Sequence, residues 1–281
     1  MKTIDTLVED IYSLFSSDNK NKKLELKKED LDAFSNSIIA AVVSALSGRE
    51  NKRTLRLSMI GQPNRKIWYE LNGGKKKEID PPTIIKFLYG NILEELLILF
   101  TKASGHTVDE MQKEVSVGGV VGHHDAIVDG TLVDFKSASD FGFKKFKEGN
   151  ITKDDPFGYV AQISAYAHAN KTSEAGFLAI NKSSGEISYC PVHSMDFINP
   201  ERRINEVKSL ISQPEPPPRC YDAVPDGKSG NMRLAVGCAF CDYRNHCWQD
   251  ANNGRGIRTF QYATGKKSLV KVMSEPDVPE I

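Results

Sequence analysis

The sequence predicts an α/β protein, with a central mixed β-sheet flanked by helices, a helical N-terminal region and a small C-terminal cysteine module. Three observations predict it. Apolar residues recur at helical spacing through residues 1–50 and again from Pro82 to Ala103. The valine- and glycine-rich stretch VSVGGVVGHHDAIVDGTLVDFKSAS then changes the pattern to that of strands. Beyond the proline-rich linker QPEPPPRC, three cysteines fall within ten residues, in GCAFCDYRNHCW.

Taken in order, the start MKTIDTLVEDIYSLF mixes acids with apolar residues and reads as an amphipathic helix, not a secretory signal. LDAFSNSIIAAVVSALSG is a second helix, ending on Gly48. TLRLSMIGQPNRKIWYEL carries a turn at Gly61-Gln62-Pro63-Asn64 and then a short helix. The helix from Pro82 to Ala103 places Leu88, Ile92, Leu96, Leu97 and Phe100 on one face. A turn at Asp129-Gly130 between two apolar runs signals a β-hairpin. After a lysine-bearing loop comes a helix around YVAQISAYAHAN. EAGFLAINKSSGEISYCPV supplies two more strands about a Ser-Ser-Gly turn, and INPERRINEVKSLIS is again helical. The expected division is a helical region over 1–53, a core over 54–212, a cysteine module over 213–260 and a polar tail over 261–281.

Composition narrows the function. The 281 residues are 40% hydrophobic, enough for a core. No apolar run reaches ~18 residues, so no membrane span or membrane partner is expected. The cysteine pattern suits a reducing compartment, and a cytoplasmic location is expected. Lys+Arg and Asp+Glu both number 37. A nucleic-acid binder is often basic, but the distribution of charge matters more than its sum. Lysines cluster at Lys20, Lys22, Lys23, Lys27 and Lys28, at Lys75, Lys76 and Lys77, and at Lys144, Lys145 and Lys147. Each cluster alone reads equally well as solvated surface.

The hairpin carries the chemistry. Asp125 begins one strand and Asp134-Phe135-Lys136 ends the next, so the turn lets the two carboxylates converge. Asp134 and Lys136, two apart, share a strand face. Close carboxylates repel unless a cation lies between them, and hard oxygen donors suit Mg²⁺ or Mn²⁺. A neighbouring lysine orients or helps deprotonate an attacking water and offsets charge on a phosphate. Two acids and a lysine at this spacing also occur on plain polar hairpins. Here Asp134 lies in an apolar strand, and Asp125 follows the close-packed Gly122-His123-His124. Either histidine could reach a phosphate, but a structural role is commoner, so both stay outside the ligand set.

GHHDAIVDGTLVDFKSAS resembles the core of the PD-(D/E)xK nuclease superfamily, whose sheet is restriction-endonuclease-like. Gln162 and Tyr166 in QISAY resemble the QxxxY helix motif of its RecB-like branch. Gly90 and Glu94 in GNILE resemble the Gly-xxx-His/Glu element of the first core helix. Each motif is weak alone, and together they run in order over roughly residues 55–250. The resemblance is closest to phage and CRISPR-associated exonucleases that carry a cysteine cluster. It implies that Glu94, Asp125, Asp134 and the Phe135 carbonyl hold one or two divalent ions. It also implies that Lys136 positions water, and that Gln162 and Tyr166 hold the DNA strand or brace the site. The implied activity is metal-dependent DNA exonuclease action in phage recombination, replication or host-DNA degradation. Its partners would be DNA and a phage recombinase, single-strand-binding or replication protein. A structure-specific endonuclease, a catalytically silent DNA-binding or assembly module with a structural metal cluster, and an iron–sulfur redox protein are the alternatives.

Of five cysteines, Cys238, Cys241 and Cys247 form C-x2-C-x5-C, and Cys220 lies 18 residues before Cys238. Four thiolates bind Zn²⁺ or an iron–sulfur cluster, and spacing does not choose between them. The resemblance implies a [4Fe–4S] cluster that staples the C-terminal module. In those relatives the fourth cysteine lies upstream, and the matching segment here, Gly61 to Tyr69, has none. Cys220 is therefore taken as the fourth ligand, and Cys190, in a strand, as core. Arg65, Trp68 and Tyr69 fit either a single-strand groove or an inward-packed helix. DGKSGNMRL lacks the P-loop pattern, and no ATPase or helicase motif occurs.

Overall fold

A computed structural model describes residues 2–17, 26–47 and 53–281. Lys20, Lys22, Lys23 and Gly48 lie outside them. In chain order the elements are α1 (Leu7–Ser13), α2 (Lys28–Ser47), α3 (Asn64–Asn72), α4 (Pro81–Ala103), β1 (Val108–Asp109), β2 (Glu114–Val117), β3 (Val120–His123), β4 (Ala126–Val128) and β5 (Thr131–Ala138). They continue with α5 (Asp140–Lys147), α6 (Tyr159–Asn170), β6 (Ala175–Asn181), β7 (Ile187–Val192) and α7 (Pro200–Ile211). Last come β8 (Val224–Pro225), β9 (Met232–Arg233), α8 (Val236–Ala239), α9 (Arg244–Cys247), α10 (Ala251–Gly254), β10 (Arg258–Tyr262) and β11 (Gly265–Lys271).

The chain divides into two compact units, one of residues 1–61 and 80–205, the other of residues 62–79 and 206–281. In the first, a five-stranded sheet runs β1-β4-β5-β6-β7. Only β5 and β6 are parallel, so the sheet is mixed, as expected. The parallel step requires a crossover, and α5 and α6 supply it. The β4–β5 hairpin closes on Asp129 and Gly130, both at positive φ, the two-residue turn that matches strand twist. The glycine-rich half of the same stretch forms a second, separate hairpin, β2–β3.

Two apolar layers sandwich this sheet. On one face Leu132, Phe177 and Ala179 pack with α5 and α6 through Phe143, Phe146, Ile163 and Tyr166. On the other, Val133, Phe135, Leu178 and Ile180 pack with Leu7 and Ile11 of α1 and Leu97 of α4. The alternation along β5 and β6 is the period of two that places neighbours on opposite faces. Burial of a Leu, Ile or Phe side chain is worth about 1.5–3 kcal/mol, so these residues anchor both layers. Helix α4 begins where Asp80 caps the Thr83 amide at 3.0 Å and Pro81 tolerates the first turn. Of its predicted apolar face, Leu97 is fully buried. Cys190 is core, as expected. No helix among the described residues is long and apolar enough to cross a membrane.

The second unit joins α3 to the C-terminal elements, with a sheet ordered β10-β11-β9-β8. Within residues 261–281, read from the sequence as a polar tail, lies β11, paired with β10 and burying Leu269 and Val270. Tyr69 of α3 is buried, stacks on Tyr243 at 5.6 Å and accepts a hydrogen bond from Arg65 at 3.0 Å. Trp68 donates to the Gln213 carbonyl at 3.0 Å. Of the two readings open for Arg65, Trp68 and Tyr69, these contacts describe inward packing.

Candidate active site

Strand β4 stops pairing with β5 at Ala126↔Val133, whereas β6 follows β5 to Ala138↔Asn181. Alternate residues of a strand turn both N–H and C=O to the same side. Leu132 and Ala138 bond towards the β6 side. Phe135 and Ser137 therefore turn their backbone groups to the edge that β4 has left. Two carboxylates fill this notch. Asp125 Oδ2 accepts the Phe135 N–H at 2.8 Å, and its Oδ1 accepts Gln112 Nε2 at 3.2 Å. Glu94, from α4, accepts both the Ser137 N–H at 3.2 Å and its hydroxyl at 3.1 Å. The Phe135 carbonyl faces the same edge between them.

Asp134 and Lys136 project from the face towards α6, as their spacing predicts. Asp134 is 2% exposed. Its Oδ1 accepts Gln162 Nε2 at 3.2 Å, and its Oδ2 is ion-paired with Lys136. The Lys136 ammonium also donates to the Phe135 carbonyl at 3.2 Å and lies 5.3 Å from the Tyr159 ring centre. Gln162 reaches Tyr166 one turn along the helix, so it links that hydroxyl to Asp134. The Tyr166 ring lies against Gly122, where a Cβ would come within 2.9 Å of it.

Electrostatics follow from three carboxylates around one ammonium. Burial pushes the Asp134 carboxyl up to about 7, with Lys136 opposing and Asp125 and Glu94 adding to the rise. Glu94 is raised by burial, against Lys136 and with Asp125. Burial works against charge on Lys136, but Asp134, Asp125 and Glu94 outweigh it and hold the ammonium well above its ordinary range. Burial likewise pushes the Tyr159 hydroxyl up to about 12. An excess of anionic oxygen beside a backbone carbonyl is the donor chemistry of a hard divalent cation. Among the described residues, no three His, Cys, Asp or Glu side chains already stand in a metal-holding arrangement.

Every residue expected here from the sequence thus comes to one end of β5. His123 and His124 do not: His124 is buried between the Glu110 carbonyl at 2.9 Å and Asn170 at 2.8 Å, and exposed His123 lies 3.6 Å from Glu114. Sequence reasoning missed Gln112, Ser137, Tyr159 and Lys182. Ser137 adjoins Lys136 on β5, and the other three come to the site only across elements distant in sequence.

In the second unit, Cys238 is buried, Cys241 and Cys247 partly so, and Cys220 exposed. Burial pushes the Cys238 thiol up to about 11, and Cys247, Cys241 and Cys220 are close enough to add to that rise. The Trp248 indole N–H is buried without a hydrogen-bond partner, and it lies close enough to the Cys238 thiol to oppose that rise. Arg65 likewise turns towards Cys247. The four thiols influence one another electrostatically, while among the described residues no three of them stand in a metal-holding arrangement.

No family model and no curated relative matches the chain. Among solved structures it is similar to one described as the crystal structure of SSO0001, with TM-score 0.40 and 14% identity over 75% of this chain and 94% of that one. It is also similar to LHK-Exo, an alkaline exonuclease from Laribacter hongkongensis, with TM-score 0.38 and 15% identity over 57% of this chain and 84% of that one. The same exonuclease in complex with dAMP gives TM-score 0.36 and 14% identity over 58% and 86% of the two chains.

Proposed function

We propose that this chain is a divalent-metal-dependent deoxyribonuclease of the PD-(D/E)xK kind, RecB-like in its motifs, acting on DNA as an exonuclease. One observation carries the reading. Asp125 and Glu94 flank the Phe135 carbonyl on the open edge of β5, with Asp134 and Lys136 beside it. Glu94, Asp125, Asp134 and the Phe135 carbonyl would hold Mg²⁺ or Mn²⁺. The bound cation would supply Lewis acidity to water and to the phosphate oxygens. Lys136, kept charged by its neighbours, acts as a donor that orients water and offsets charge on phosphorus, not as the base. Gln162 and Tyr166 hold Asp134 in place.

The thiol set would carry a [4Fe–4S] cluster, with structural Zn²⁺ as the alternative; Cys220 would be the fourth ligand. A buried, unpartnered indole N–H near the Cys238 thiol supports thiolate chemistry there. Iron, sulfide and zinc analysis with a visible spectrum decides between them, and a colourless zinc protein rejects the iron–sulfur assignment. The expected setting is a cytoplasm, that of the host if the chain is phage-encoded, with a recombinase, single-strand-binding or replication protein as partner.

End-labelled linear and circular DNA, single- and double-stranded, incubated with and without Mg²⁺ or Mn²⁺, tests the activity. Linear DNA is expected to be degraded and circles to survive; cut circles would mean an endonuclease. Undiminished cleavage by Asp134→Ala would remove the enzyme reading. A silent DNA-binding module is the second reading, favoured by Lys136 already pairing with Asp134.

A further inference from the structure

Lys182 follows β6 directly. Its backbone N–H donates to the Ala138 carbonyl at 2.8 Å, which extends the β5–β6 ladder by one residue. The side chain then crosses towards α4, where a Cβ on Gly90 would lie 3.2 Å from the Lys182 ammonium and 3.0 Å from Ser137 Oγ. Glu94, one turn along α4, is its electrostatic neighbour, and burial lowers the pKa of this lysine against that neighbour. Among the described residues, its ammonium makes no hydrogen bond or ion pair. The residue is exposed, so the charge is reachable from solvent.

An unpaired ammonium at the rim of an anionic cleft has a chemical consequence. Three carboxylates and one lysine leave the cleft negative, and a polyanion approaching it is repelled. A divalent cation at the carboxylates offsets the cleft's own charge but leaves the flanking phosphates of a bound strand without a counter-charge. Lysine is a compact, flexible point charge suited to such a contact.

On the reading given under Proposed function, we propose that Lys182 binds the phosphate next to the scissile one. Lys182 is then a substrate-binding residue on the Glu94 side of the site. Its charge contributes to holding the strand and leaves the chemical step unaltered.

The test compares wild type, Lys182→Met and Lys182→Arg, each checked for folding by circular dichroism. A fluorescein-labelled DNA oligonucleotide is titrated in Ca²⁺ at several salt concentrations, and cleavage is followed in Mg²⁺. Removing one phosphate contact lowers the slope of log Kd against log salt by roughly 0.7–0.9. Lys182→Met is expected to show that loss and a KM raised about tenfold, with kcat within about twofold, in line with one phosphate contact. Lys182→Arg should restore the slope. An unchanged slope and KM in Lys182→Met would overturn the proposal. A protein that binds DNA without cutting it refutes the nuclease reading alone, because the salt slope still reports on Lys182. Failure to bind DNA at all overturns both.

Discussion

The Asp125 carboxylate accepts the backbone N–H of Phe135 at 2.8 Å, at the point where β4 has ceased to pair with β5. A side chain here replaces a strand. The same substitution recurs one pleat further on, where Glu94 takes the Ser137 N–H. Candidate ligands are therefore also the caps of an exposed strand edge, which ties the site's geometry to the fold's stability.

Asp125→Ala and Asp125→Asn separate the two roles. Alanine leaves the Phe135 N–H without its acceptor, at a cost of about 1–3 kcal/mol in urea unfolding. Asparagine keeps an oxygen in place and should cost less than about 1 kcal/mol. Both should lose about a hundredfold or more in cleavage, since both remove the charge a cation needs. An asparagine variant that cleaves at the wild-type rate would separate Asp125 from metal binding.

Asp134 predicts proton release. Its carboxyl is raised to about 7, so the metal-free site holds a proton below that pH. A divalent cation needs the ionised form, and its affinity should climb as pH rises towards about 7 and level off above it. Calorimetry in two buffers of different ionisation enthalpy should detect proton release at pH 6 and little at pH 8.5. Folding carries the matching sign. A raised carboxyl favours the folded state below the unfolded value near 3.8, and that contribution is lost as pH rises through 7. Metal-free Asp134→Asn should lack this part of the pH dependence.

Asp10 predicts the opposite trend at low pH. It accepts from Thr6 at 2.7 Å, pairs with Lys2 at 2.8 Å and contacts buried His106 at 3.1 Å; His106 in turn meets Asp129 at 2.5 Å. Lys2 and then Thr6 hold the Asp10 carboxyl down at about 2. A lowered carboxyl stabilises the fold above its unfolded pKa near 3.8, and that stability is lost as pH falls through 2. Asp10 is partly solvated, so the contribution is about 1 kcal/mol or less. Asp10→Asn should lower the urea midpoint at pH 6 and match wild type near pH 2.

The local signals in the sequence specified much of this arrangement. Asp129-Gly130 fixed the β4–β5 turn, the two-residue spacing fixed the shared face of Asp134 and Lys136, and the four-residue spacing fixed Gln162 with Tyr166. Contacts that arise from non-local pairing left no such mark. Lys182 comes into the electrostatic range of Glu94 only because β6 runs parallel to β5, and Tyr159 meets Lys136 only because α6 crosses that face. The β10–β11 pair was hidden for another reason. Lysines and small polar residues fill RTFQYATGKKSLVK, and its buried positions are as few as Phe260, Leu269 and Val270. The thiol neighbourhood was legible in composition, but the indole and guanidinium turned towards it were not.

The cysteines give the last prediction. Cys190 sits in β7 within the sheet's core, 2% exposed, and burial pushes its thiol up to about 11. Its packing neighbours in that core include no second cysteine. Cys190→Ala should therefore retain the full bound metal and lose stability through its cavity alone, by about 1 kcal/mol. Cys238→Ala should lose most of the metal, because Cys238 is buried and interacts electrostatically with the three other thiols of the set. If a [4Fe–4S] cluster staples this unit, that loss should also lower its thermal midpoint. Metal analysis and thermal melts on the two variants decide the matter. Equal metal content in both would exclude the thiol set as the cluster's site.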